Sequence, residues 1–219
     1  MKKLFANGFI GSALLIALLV ADKSLAVDFV VQDHKLQQCL ENIAKQKQWQ
    51  KPEQFIEIKC HSGGIESLAG LELFYNVQSL SLYNNQLQSI DFDLNKLPQL
   101  KKLNLARNNL EQLTIAGLAH LQSVYMFANR LTEFHIANLK SLQILKANNN
   151  QLERFSYANT PELKKIYIFN NQLETINIYD LPALHYMDCR ENPMPDELYD
   201  EMDQMRGITF LHDGNAEDW

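Results

Sequence analysis

The sequence predicts a solenoid: an arc of stacked short repeats, β-rich, with a helical cap at each end. Three observations predict it. A pattern of the form L-x-x-L-x-L-x-x-N-x-L recurs at a nearly fixed step. Behind each copy, apolar residues alternate with the period of a strand. Amphipathic helical stretches flank the array.

The repeat comes first. LKKLNLARNNL from Leu100, LQSVYMFANRL from Leu121, LQILKANNNQL from Leu142 and LKKIYIFNNQL from Leu163 all fit the pattern. VQSLSLYNNQL fits upstream from Val77, and LHYMDCRENPM fits downstream from Leu184, with Met194 in the last slot. FIEIKCHSGGI, from Phe55, is a degenerate copy with Gly63 in place of Asn. The starts are 55, 77, 100, 121, 142, 163 and 184, so the steps are 22, 23 and then 21 four times. One such unit cannot bury its own apolar side, whereas stacked units share a continuous core.

This pattern resembles the leucine-rich repeat family over residues 55–194, most of the chain. The resemblance implies a leucine-rich repeat solenoid, α/β by convention though β-rich, with a parallel concave sheet of about seven strands. The Asn slot holds Asn85, Asn108, Asn129, Asn150, Asn171 and Asn192. A buried amide must find hydrogen-bond partners, so these six predict a ladder bonding the backbone of adjacent turns, a structural role. The return segments SIDF, QLTI, EFHI, RFSY and TINI alternate Ile90/Phe92, Leu113/Ile115, Phe134/Ile136, Phe155/Tyr157 and Ile176/Ile178. That predicts a short strand-like convex side.

An open sheet has edges that need covering. Residues 27–54 are the expected N-terminal helical cap, in which Leu36, Leu40, Ile43 and Ala44 share one helical face. Residues 195–219 are the expected acidic C-terminal cap: a helix after Pro195, a stop at Gly207 and a strand-like ITFL. The run LQQCLENIAKQKQW, followed by IKC and GIESLAGLE, resembles the N-terminal cap of exported bacterial leucine-rich repeat proteins. Internalins are the better-known relatives, and their wall-anchoring tail is not found here.

Residues 1–26 read as a signal peptide. Two lysines precede an apolar run from Phe9 to Val20, and Ser24-Leu25-Ala26 offers small residues for cleavage near Ala26. The rival reading, a membrane anchor, needs about 20 apolar residues, which this run does not supply. The MKK opening and short apolar run have a bacterial look, and no Cys follows for lipid attachment. The expected product is secreted or periplasmic, and not membrane-embedded after cleavage.

The formal net charge is −6, unevenly spread. Residues 27–190 carry 16 acidic and 16 basic side chains, whereas residues 191–219 carry nine acidic ones against Arg206 alone. A nucleic-acid partner needs a concentrated basic surface, and none is evident.

There are three cysteines. Cys39 lies on the cap helix and Cys60 in the first repeat, and an oxidising compartment would permit a bridge between them. It would pin the cap to the solenoid and contribute about 3 kcal/mol; two buried thiols are the other reading. Cys189 fills the slot of Leu105, Met126, Ala147 and Ile168, which makes it a core residue. The histidines at 34, 61, 120, 135, 185 and 212 show no metal-ligand spacing; His120 and His135 are expected at the surface. With no nucleophile motif, phosphate loop or acidic metal loop, no catalysis, metal or other cofactor is expected. Asp188, Arg190 and Glu191 read as a solvated salt-bridge cluster.

One stretch points to function. In VYMFANRL, residues 124–131, side chains of a strand alternate between faces. Val124 and Met126 occupy inward slots, so Tyr125 and Phe127 project from the concave face. Tyr167 and Phe169 do the same two repeats on. Tyr83 and Tyr186 extend this aromatic character, and Lys102, Arg107, Lys146 and Lys165 interleave positive charge. Exposed aromatic patches mark binding sites. The expected partner is a protein, from a host surface or the cell's own envelope; a glycan, or an envelope-scaffold role, is the alternative. The opposing reading is that the rings only stack on each other and stabilise the sheet.

Overall fold

The computed structural model describes residues 27–214. The expected signal peptide and the last five residues of the chain lie outside them. In chain order the elements begin with helix α1 (His34–Lys47), then β1 (Glu57–Lys59), β2 (Ser79–Ser81), β3 (Lys102–Asn104), β4 (Gln112–Ala116) and β5 (Ser123–Tyr125). There follow β6 (Glu133–Ala137), β7 (Ile144–Lys146), β8 (Arg154–Ala158), β9 (Lys165–Tyr167), β10 (Tyr186–Asp188), helix α2 (Asp196–Gln204) and β11 (Thr209–Leu211).

Eight strands form one parallel sheet in the order β1-β2-β3-β5-β7-β9-β10-β11. This is the leucine-rich repeat solenoid, with one strand per repeat and a further strand, β11, from the ITFL stretch. The register places equivalent repeat positions side by side: Leu80 opposite Leu103, Leu103 opposite Val124, Val124 opposite Leu145 and Leu145 opposite Ile166. These inward side chains are fully buried. Each Leu, Ile or Val so buried contributes about 1.5–3 kcal/mol relative to exposure.

The convex side differs from expectation in part. QLTI, EFHI and RFSY form β4, β6 and β8, a second parallel sheet of three strands. SIDF and TINI alternate the same way yet form no strands. For SIDF, the step from 77 to 100 is longer by two residues than the central 21, and its return half instead carries a 3-10 turn, Leu94–Lys96. TINI lies in a repeat of the same 21-residue step as EFHI and RFSY, so repeat length does not explain it. A similar turn, Leu71–Leu73, serves the first repeat.

The Asn ladder is built as the slot demands. Asn129 Nδ2 donates to Leu105 O at 3.0 Å and Met126 O at 2.9 Å, and its Oδ1 accepts from Leu110 N at 3.1 Å. Asn85, Asn108, Asn150, Asn171 and Asn192 make equivalent bonds one repeat apart. The residue before each ladder Asn is left-handed: Asn84, Arg107, Ala128, Asn149, Asn170 and Glu191 all have φ between 55 and 58°. This turn swings the chain out of the strand and aims the next amide into the core.

At the N-terminal end, α1 lays Leu36, Leu40 and Ala44 on the first repeat, with Ile43 half-buried at the margin. Phe29, Phe55 and Phe74 pack edge-to-face beneath it at 4.9–5.4 Å. Asp33 caps α1 through bonds from Lys35 N and Leu36 N, and its second oxygen accepts from Glu66 N and Ser67 N of the first repeat. Cys39 and Cys60 are joined in a disulfide, Cα to Cα 5.9 Å. At the other end α2 ends at Gln204, before Gly207, and buries Tyr199 and Met202. His212 follows β11, is buried, stacks flat on Tyr199 at 4.6 Å and meets Asp203. Among the described residues no helix is long and apolar enough to cross a membrane.

Candidate functional site

The concave sheet carries the outward side chains. On β5, Val124 is fully buried and Tyr125 half-buried; just beyond the strand, Met126 is fully buried and Phe127 half-buried. The apolar character of both pairs therefore has two explanations, core for one and surface for the other. Tyr83, Tyr167, Phe169 and Tyr186 are likewise half-buried.

These rings are more connected than equal spacing implies. Tyr83 and Phe127 lie two repeats apart, yet their centroids are 6.4 Å apart. Ala106, fully buried, occupies the intervening rung and leaves room for the contact. His61 extends the row, edge-on to Tyr83 at 5.9 Å and hydrogen-bonded to Ser81 Oγ at 2.8 Å. Asn148, also buried, holds the rung between Phe127 and Phe169. Between the adjacent strands β9 and β10, Tyr167 meets Tyr186 diagonally at 5.2 Å.

The cations lean on these rings. Lys146 Nζ lies 4.5 Å from the Tyr167 centroid, Lys102 Nζ 5.4 Å from Tyr125 and Arg107 5.7 Å from Tyr83. Lys165 stands in register between Ile144 and Tyr186. A cation over a ring face gains about 0.5–1 kcal/mol at an exposed site, so these contacts hold the side chains along the surface.

One expectation changes here. Asp188 is no solvated carboxylate: it is buried, and Arg190 grips it with two bonds of 3.0 and 2.9 Å. Tyr167 and Leu211 flank it in register, which removes it from water. That carboxylate raises the pKa of Arg190, while burial, followed by Asp188's charge, raises that of Tyr186. His135 is half-buried on the convex side and bonds Ser156 Oγ at 2.7 Å; His120 is exposed.

Cys189 is fully buried, and burial pushes its thiol up to about 12, helped by Asp188 and Asp213. A thiol so held is a poor nucleophile. Among the described residues no group of three or more His, Cys, Asp or Glu side chains is placed to hold a metal ion.

Sequence reasoning named the rings and cations from the repeat register. The same register puts His61, Ala106 and Asn148 in the outward row, but gave them no part in binding. The signal for Ala106 was present: it is the smallest side chain in its row, and a gap between large neighbours lets them close.

Comparison with known proteins gives the fold a family. A model described as leucine-rich repeats (2 copies) matches residues 75–120. Internalin C2 from Listeria monocytogenes str. 4b F2365 is similar at 17% identity and a TM-score of 0.51, covering 86% of this chain and 99% of its own. YopM from Yersinia pestis, titled a leucine-rich effector protein, is similar at 24% identity and a TM-score of 0.57, covering 82% and 52%. The internalin inlF, from the same Listeria strain, is similar at 16% identity and a TM-score of 0.49; the alignment covers 75% of this chain and 58% of inlF. No curated protein matches by sequence. Repeat, register, Asn ladder and matched segment together show the leucine-rich repeat solenoid fold, distantly internalin-like.

Proposed function

We infer that this is an exported protein that binds another protein noncovalently through its concave face. Repeat solenoids use such faces as extended binding surfaces. The observation that carries the reading is the set of half-exposed rings on one face, Tyr83, Tyr125, Phe127, Tyr167, Phe169 and Tyr186, in which Tyr83 meets Phe127 and Tyr167 meets Tyr186, with cations laid across it. Aromatic and Arg side chains dominate interface hot spots, where truncation costs about 2 kcal/mol or more. Here the rings are held by neighbours before a partner arrives, which lowers the entropy lost on binding.

Export is supported by the Cys39–Cys60 bridge, since disulfides persist in oxidising compartments, and by the leader-like start of the chain. A binding role rather than a catalytic one fits the inert Cys189. The partner comes from a host surface or from the cell's own envelope.

The test is a pull-down with oxidised protein, residues 27–219, from host-surface extract and from envelope extract separately. The control replaces Tyr125, Phe127, Tyr167 and Phe169 by Ser and is checked for folding by circular dichroism. A band lost with the folded control supports the concave face. Identical bands with both proteins refute it. Competition by free sugar would move the reading to a glycan.

A further inference from the structure

The charges of the concave face and of the C-terminal cap are complementary. Among the described residues, the concave ion pairs are Lys59 with Glu57 and Arg190 with Asp188. Lys102, Arg107, Lys146 and Lys165 form no salt bridge there; three of them rest on rings instead. The face thus presents four cations that, among the described residues, are in no salt bridge.

Helix α2 is the converse. Its sequence, DELYDEMDQ, turns Tyr199 and Met202 inward and leaves Asp196, Glu197, Asp200, Glu201 and Asp203 exposed. Glu201 is engaged by the Tyr179 hydroxyl and Asp203 by His212. Asp196 and Asp200 are one turn apart and Glu197 lies beside them, so the three share the outer surface. No basic residue lies in the helix.

The dimensions are compatible. The nine-residue helix is about 14 Å long at about 1.5 Å per residue, and Lys102 on β3 and Lys165 on β9 are three strand spacings apart, about 14 Å at about 4.8 Å each. Asp196, Glu197 and Asp200 lie within about 6 Å of one another along the helix axis, so the long lysine side chains converge on its first turn.

We propose that the concave face of one molecule receives helix α2 of a second copy, with Asp196, Glu197 and Asp200 of α2 paired to Lys102, Lys146 and Lys165. Face and helix are different parts of the surface, so the contact is heterologous. Each pair keeps one free face and one free helix, and association continues head to tail into open chains. The contact also covers the rings assigned to partner binding, so self-association and partner capture compete.

The test measures mass by size-exclusion chromatography with light scattering on residues 27–219, at rising concentration. Low salt is compared with about 1 M salt, where the screening length falls to about 3 Å. The variants are Asp196→Asn/Glu197→Gln/Asp200→Asn and Lys102→Gln/Lys146→Gln/Lys165→Gln, each checked for folding. Wild type is expected to reach at least twice the monomer mass at low salt and to return to monomer at high salt. Each variant alone is expected to stay monomeric. The two mixed are expected to give a finite complex of twice the monomer mass, because one supplies an intact face and the other an intact helix.

A wild type that stays monomeric at every concentration overturns the proposal, as do variants that associate like wild type. A mixture that stays monomeric while wild type associates overturns the head-to-tail arrangement. None of these outcomes touches the pull-down, which reads capture of a different protein.

Discussion

Tyr83 and Phe127 touch across an intervening strand, with ring centroids 6.4 Å apart above Ala106. The contact joins the first aromatic rung to the central one and turns separate rings into one surface. Aromatic pairs of this kind are worth about 0.5–1.5 kcal/mol beyond their burial. A double-mutant cycle with Tyr83→Ala and Phe127→Ala, read by urea unfolding, is expected to show a coupling in that range. Strict additivity would mean that the rings stand independently. Ala106→Leu should push them apart and abolish the coupling.

Asn129 is expected to be among the most sensitive polar positions. Replacing it by Ala strands Leu110 N inside the core, while Leu105 O and Met126 O each lose one donor and keep Asn108 and Asn150. A buried group left unpaired costs about 1–3 kcal/mol, so the loss should fall in that range. Denaturant titration measures it. A loss below about 1 kcal/mol would show that the turn relaxes and pairs Leu110 N elsewhere.

Asp33 gives a pH dependence. Burial tends to raise its carboxyl, but backbone donors from Glu66, Leu36, Ser67 and Lys35 outweigh that and hold its pKa below the usual value. A depressed folded value means a contribution fully present above the unfolded pKa of about 3.9 and lost as pH falls through the folded one. Asp33→Ala should cost about 1–2 kcal/mol at neutral pH, and its gap to wild type should narrow on acidification below about pH 4. Melting curves across that range decide it. A constant gap would mean that the carboxylate's charge contributes nothing.

The Cys39–Cys60 bridge ties α1 to the first repeat strand, with a sequence separation of 21. Reduction is expected to cost about 3 kcal/mol, measured by melting with and without reductant. An unchanged melting temperature would show that packing of Leu36, Leu40 and Ala44 holds the cap without it.

Cys189 should resist thiol reagents in the folded protein. Burial pushes its thiol up to about 12, so the reactive thiolate is scarce at neutral pH. Labelling is expected to proceed at the rate of unfolding. Rapid labelling of the native state would show that the core beneath α2 opens on its own.

The repeat register made the fold legible, because a leucine or asparagine that recurs every 21 residues has the same surroundings each time. Val124, Met126 and the six ladder asparagines could be placed from that regularity. The convex strands were legible only in part. Ile176 and Ile178 alternate as Phe134 and Ile136 do, yet they form no strand, and alternation alone does not distinguish the two. At the candidate site, the rings followed from the register but their contacts did not. That Tyr83 reaches Phe127 depends on the volume of Ala106 between them. That Asp188 is buried depends on Leu211, contributed by a strand after α2.

The two ends of the solenoid are fastened differently. A covalent link holds the first layer, whereas the last is held by hydrogen bonds, such as Cys189 N to Leu211 O and Tyr199 Oη to Asn192 O, and by apolar packing. Layers of a solenoid touch only their neighbours, so shedding a terminal one sacrifices a single interface. Unwinding therefore has a direction: it begins at β11 and α2 and travels toward the bridge. A molecule caught midway has already lost Tyr186 and Tyr167 but still displays Tyr83 and Phe127, so the aromatic face is dismantled from one end like a zipper with a fixed stop.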